Sequence, residues 1–96
     1  MRFMVTWSVP RENWAEVYAH FASMSDDDLA ADSAGLELVG RWHDVIGRTG
    51  VAICEAPDAA TLAKWLLNWN PSLDTEVTPV FDDDEAQAIG REKFPS

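Results

Sequence analysis

The apolar patterns along this chain predict an α+β fold: one four-stranded antiparallel sheet with two helices on one face and a short helix at the C-terminal end. Three observations lead there. Four short runs alternate apolar and polar residues with a period of two. Two longer runs repeat apolar residues at spacings 0, 3, 4 and 7. The runs follow one another as strand, helix, strand, strand, helix, strand.

Phe3–Val9 sets Phe3, Val5, Trp7 and Val9 against Met4, Thr6 and Ser8, a β-branched and aromatic strand with one apolar face. Pro10 stops its pairing and opens a helix, where a missing N–H costs nothing. That helix, about Arg11–Met24, carries Trp14, Val17, Tyr18 and Phe21 on one stripe, expected to pack on the sheet. His20 lies beside the stripe, as a solvated side chain rather than a ligand. The acidic connection Ser25–Gly35 lacks the alternating ligands and the glycine of a calcium loop. A short helical turn capped by Ser25 is expected there, with Leu29 dipping to the core.

Two strands folded back on each other come next. Leu36–His43 alternates Leu36, Leu38, Gly40 and Trp42 against Glu37, Val39, Arg41 and His43. Gly50–Glu55 sets Val51, Ile53 and Glu55 against Ala52 and Cys54, and Gly47 and Gly50 are expected to supply the positive-φ turn positions. Pro57 begins a second helix, ending near Asn68–Asn70, with Leu62, Trp65, Leu66 and Trp69 on its stripe and Asp58 in its first turn. Leu73–Val80 is the fourth strand, placed at an edge because Pro79 cannot donate to a ladder. Asp82–Asp84 and Glu85 precede a short helix ending at Gly90, capped by Asp82 or Asp83.

The handedness of strand–helix–strand crossovers leaves a ferredoxin-like βαββαβ arrangement with strand order 4-1-3-2, in a single domain over residues 1–96. A chain this short buries roughly 60–65% of its unfolded surface, enough for one core. The second sheet face is left without a cover. Met4, Thr6, Ser8, Val39, Arg41, His43, Glu76 and Thr78 are expected on it, with Trp42 pointing to the helices. So mixed a face predicts a homodimer, sheet against sheet, with a cavity between.

Composition removes several function classes. A net charge of −10, from 17 acidic and 7 basic residues, opposes binding to nucleic acid or to an anionic membrane surface. It suits a cationic partner, although solubility is the plainer reading. The lone Cys54 excludes an internal disulfide, and no apolar run nears the roughly 20 residues of a membrane span. The start, MRFMVTWSVP, reads as a strand rather than a signal peptide, so a cytoplasmic protein is expected.

The segments FMVTWSVPREN, LVGRWHD, GVAICEA and WLLNW…TEVTPVFDDDEA resemble a domain-of-unknown-function family, DUF3303, over nearly the whole chain. The chain departs from the family in the acidic loop Ser25–Gly35. That family is similar in fold to the dimeric α/β-barrel superfamily, which includes antibiotic-biosynthesis monooxygenases and haem-degrading enzymes. The resemblance therefore implies a barrel-like dimer and carries over no catalytic residue. The haem degraders' Asn, Trp and His have no counterpart here, since the first strand offers Thr6 and Ser8, which opposes haem chemistry.

His43 is the leading candidate for chemistry, as a side chain that exchanges protons near neutral pH, with Arg41 two residues away to hold an anionic oxygen. The plainer reading ties both into the hairpin through Asp44 or Glu76. Thr6, Ser8, Glu76 and Thr78 would complete a pocket on the open face. Cys54, in an apolar strand, reads as inert, and His20, His43 and Cys54 lack zinc-site spacing, so no metal or cofactor is expected. Five tryptophans are several times the usual share; Trp7 and Trp42 could line a pocket for a flat ligand. Three readings follow: a homodimer with a small-molecule cavity, a cofactor-free oxygenase or isomerase using His43 and Arg41, and an acidic adaptor docking a cationic protein through Asp26–Asp28 and Asp82–Glu85.

Overall fold

The computed structural model describes residues 1–96. Its elements are β1 (Arg2–Ser8), α1 (Arg11–Ser23), α2 (Asp26–Asp32), β2 (Glu37–Asp44), β3 (Thr49–Glu55), α3 (Ala59–Leu67), β4 (Asp74–Pro79) and α4 (Asp83–Lys93). The strands form one antiparallel sheet ordered β2-β3-β1-β4, which read from the β4 edge is 4-1-3-2. No helix is long and apolar enough to cross a membrane.

Four helices are present where three were expected, because the acidic connection forms a helix of its own. Ser25 Oγ accepts from the Asp28 amide at 3.1 Å, while the Asp28 carboxylate accepts from the Ser25 amide at 3.0 Å. This reciprocal box satisfies two otherwise orphaned donors, and the three aspartates of the first turn suit the positive end of the helix. The last residue of α2, Asp32, then latches it to α3. Its carboxylate accepts from Trp65 Nε1 at 3.0 Å, from Trp69 Nε1 at 2.9 Å and from Asn68 Nδ2 at 3.0 Å.

The core lies between the sheet and α3: Phe3, Val5, Ala52, Cys54, Ala56, Leu62, Trp65 and Leu66 are all buried in one cluster. Asp58, expected inside the first turn of α3, caps it instead, its carboxylate accepting from the Thr61 amide and hydroxyl, both at 2.8 Å. Helix α1 differs. None of its residues is fully buried, and its one side-chain tie outward is Asn13 Nδ2 donating to the Ser72 carbonyl at 3.0 Å. It stands off the sheet, and its stripe overhangs a gap instead of closing it.

Helix α4 runs past Gly90 to Lys93 and buries no side chain. A capping box between Asp82 and Glu85 starts it, and Arg2 moors that end to the sheet, pairing with Glu85 at 2.7 Å and Glu55 at 2.8 Å.

The decisive irregularity is in β2. Leu38 pairs with Cys54, but Gly40 pairs with Ile53, so Val39 is an extra residue, a β-bulge. Because side chains alternate, one inserted residue sends every later one to the opposite face. The turn also departs from expectation. Its left-handed residue is Arg48 (φ 60°), not Gly47 or Gly50, and the Gly47 amide donates to Asp44 Oδ1 at 2.8 Å.

Candidate functional site

Cross-strand partners share a face, so the register assigns the site directly. On the helix side one row runs Arg41, Ala52, Val5, Val77, and the next runs His43, Gly50, Trp7, Thr75. On the other side the rows are Gly40, Ile53, Met4, Thr78 and Trp42, Val51, Thr6, Glu76. Arg41 and His43 do share a face, but it is the helix-covered one, and Trp42 lies on the open face with 60% of its surface exposed. The bulge at Val39 is the cause. Thr6, Ser8, Glu76 and Thr78 therefore stand across the sheet from Arg41 and His43, and the pocket expected from the sequence is split between two faces.

The gap under α1 is a cleft of about 70 Å³. Trp7 forms its floor; Trp14, Val17, Tyr18 and Phe21 hang from α1; Trp65 and Leu66 close it from α3, and Trp69 from the turn that follows α3. Arg41 and His43 form its polar end. Gly50 lets the floor lie flat, because a Cβ there would run into the Trp7 indole. Trp7 in turn meets the His43 imidazole edge-on, with ring centroids 5.7 Å apart. Phe21 lies over both polar groups, 4.6 Å from the His43 ring centroid and 5.5 Å from the Arg41 guanidinium carbon. His20 and Trp69 meet at the rim at 5.7 Å.

The charge state of the polar end follows from its surroundings. Loss of water lowers the pKa of His43 below its ordinary value, and the neighbouring Arg41 charge lowers it further. The imidazole is thus neutral at pH 7. Loss of water also disfavours the Arg41 charge, which Asp32 partly restores. Neither Arg41 nor His43 takes part in an ion pair; all four in the molecule gather at Met1 and Arg2. The Asp44 tie expected for Arg41 is absent, since Asp44 serves the turn.

Cys54 is buried between Leu38 and Phe3, and burial together with Glu55 raises its thiol pKa. His20, His43 and Cys54 are not brought together, and no group of three or more His, Cys, Asp or Glu side chains is placed to hold a metal. In the acidic runs, Asp28, Asp82 and Glu85 are engaged in capping.

A search of curated proteins returns no match. A protein-family model, Domain of unknown function (DUF3303), matches residues 1–94. The chain belongs to the DUF3303 family. Within this DUF3303 chain the helix-side wall of the cleft was not expected as a site: Trp14, Tyr18, Phe21 and Trp69 read as core from their spacing alone. The one sequence signal for it was the excess of tryptophan. The signal for the bulge was Gly40, since a glycine inside a strand pattern often marks one.

Proposed function

We propose that this DUF3303 protein is a homodimer that binds a small molecule in the aromatic cleft beneath α1. One observation carries the reading: α1 buries none of its residues fully, so its aromatic stripe overhangs open space rather than core. Ligand sites are concave, mostly apolar and furnished with a few convergent polar groups. The cleft has that make-up, with Arg41 and His43 as the polar groups. Its size sets a condition. A single aromatic ring fills a cavity of about 150 Å³, more than the free space here, so binding moves α1 outward. The helix can do so about its Asn13–Ser72 tie, because it gives up no fully buried contact.

The dimer rests on the open sheet face of a ferredoxin-like domain. Val39 and Trp42 are exposed there, and Met4, Val51 and Ile53 are only half-buried. Sheet-to-sheet pairing of two chains would bury them, as in the barrel superfamily that the family resembles.

The test uses the indole N–H signals of the 15N-labelled protein, one for each of the five tryptophans. Addition of a naphthalene-ring probe, 2-naphthoate or 2-naphthamide, should move the signals of Trp7, Trp14, Trp65 and Trp69 and leave Trp42 in place. If neither compound moves the four, the reading fails.

A second reading is favoured by the neutral His43 beside Arg41: proton abstraction from carbon next to a carbonyl, as in an isomerase or cofactor-free oxygenase. The C–H bond breaks, the imidazole takes the proton, and the electron pair moves onto an oxygen held by Arg41. Deuterium exchange into 2-tetralone that His43→Gln abolishes would support this reading; exchange at the uncatalysed rate would eliminate it.

A further inference from the structure

The polar end of the cleft holds a positive charge that no ion pair in the protein answers. The bulge carries Arg41 under α1, where burial disfavours its charge and the Phe21 ring covers it. The carboxylate whose field acts on it is that of Asp32, yet both Asp32 oxygens are taken by two indoles and an amide. The guanidinium lies against the Phe21 ring but takes part in no ion pair, so its N–H donors face only water and are free for an acceptor from outside. A ligand oxyanion at that position forms charge-assisted hydrogen bonds, which are stronger in the partly water-excluded cleft than in bulk water. The remaining walls are aromatic rings, which favour a flat, conjugated body by stacking and edge contacts.

Net charge narrows the class further. A chain carrying −10 repels anions in general, and multiply charged ones most. One guanidinium can match one negative charge, and no second basic side chain lines the cleft beside the neutral His43. Resting on the reading of the cleft as a ligand site, we infer that its ligand is a flat aromatic monoanion, a carboxylate or an ionised phenol or enol, with its anionic oxygen on Arg41 and its ring in the place that Phe21 now fills.

The same geometry couples binding to a proton. An anion placed on Arg41 also lies beside His43, where it offsets the repulsion from the guanidinium and favours the imidazolium. The complex therefore holds a proton more readily than the free protein, and affinity for the anion rises as the pH falls from 7.5 toward 6.

Two isosteric probes separate the possibilities: 2-naphthoate, an aromatic monoanion, and 2-naphthamide, its neutral counterpart. Each is titrated into the wild-type protein and into Arg41→Gln, followed by the four cleft indole signals and the His43 ring protons. The expected result is binding of naphthoate about tenfold or more tighter than naphthamide to the wild type. The preference should vanish in Arg41→Gln, and naphthoate affinity should rise toward pH 6 in the wild type. Equal binding of the two probes to the wild type would overturn the inference while leaving the cleft as a ligand site. Naphthoate binding that leaves the His43 signals unmoved would overturn it too, by locating the anion elsewhere. Failure of both probes to move the cleft indoles removes the site and the inference together. The wild-type comparison stands even if the variant does not fold.

Discussion

Gly50 sits between Trp7 and His43 across three strands, and the space where its Cβ would be is filled by the Trp7 indole. On the other face Gly40 does the same for Trp42, whose ring lies across it. These two contacts, each made possible by a missing side chain, put one tryptophan in the cleft and one on the open face. His43 has the most consequential environment: it keeps contact with solvent, yet partial loss of water and the neighbouring Arg41 hold it below its ordinary pKa of 6.5. The sign for stability follows. The unfolded chain accepts a proton as the pH falls through 6.5, before the folded protein does, so acidification favours unfolding until the folded pKa is passed. Stability should be lost between pH 7 and the lower folded value of His43, and His43→Gln should lose less over that interval in urea melts. An equal loss in both proteins would show that His43 is not held neutral. Asp28 and Asp58, whose pKa values are lowered by their capping hydrogen bonds, act in a separate window below their ordinary 3.8.

At the scale of elements, α2 depends on one carboxylate. In Asp32→Asn an amide NH₂ would replace one oxygen and face an indole N–H, donor against donor. The expected cost is about 2 kcal/mol, the size of a lost hydrogen bond to a charged group, seen as a lower urea midpoint with an unchanged slope. A change below about 0.5 kcal/mol would mean that α2 is held by other contacts. This latch was beyond sequence reasoning, because Asp32 lies 33 and 37 residues before the indoles it receives. The strands were legible because each has a clean period of two, and α3 because its stripe is buried as written. The face of Arg41 and His43 was misread for one reason. Alternation counted from Leu36 assumes an unbroken ladder, and Val39 breaks it without altering the pattern of residue types. The α1 stripe was identified correctly as a stripe, but spacing alone cannot say whether a stripe meets a partner or a gap.

At the scale of the whole molecule, a DUF3303 chain has one sheet face under helices and one without. Leaving apolar area in water costs roughly 25 cal/mol per Å², and Val39 and Trp42 lie 61% and 60% exposed on that face. Light scattering at micromolar concentration should give twice the 10.7 kDa chain mass, and Trp42→Glu should return it to the single mass. Because each chain carries −10, the dimer should strengthen as salt screens the repulsion between copies. A monomer at every salt concentration would contradict the pairing. The bulge at Val39 is what turns Arg41 and His43 beneath α1. Nuclear Overhauser contacts from the His43 ring protons test this most directly. Contacts to the rings of Phe21 and Trp7 are predicted; contacts to Thr6, Val51 or Glu76 instead would place His43 on the open face and contradict the site.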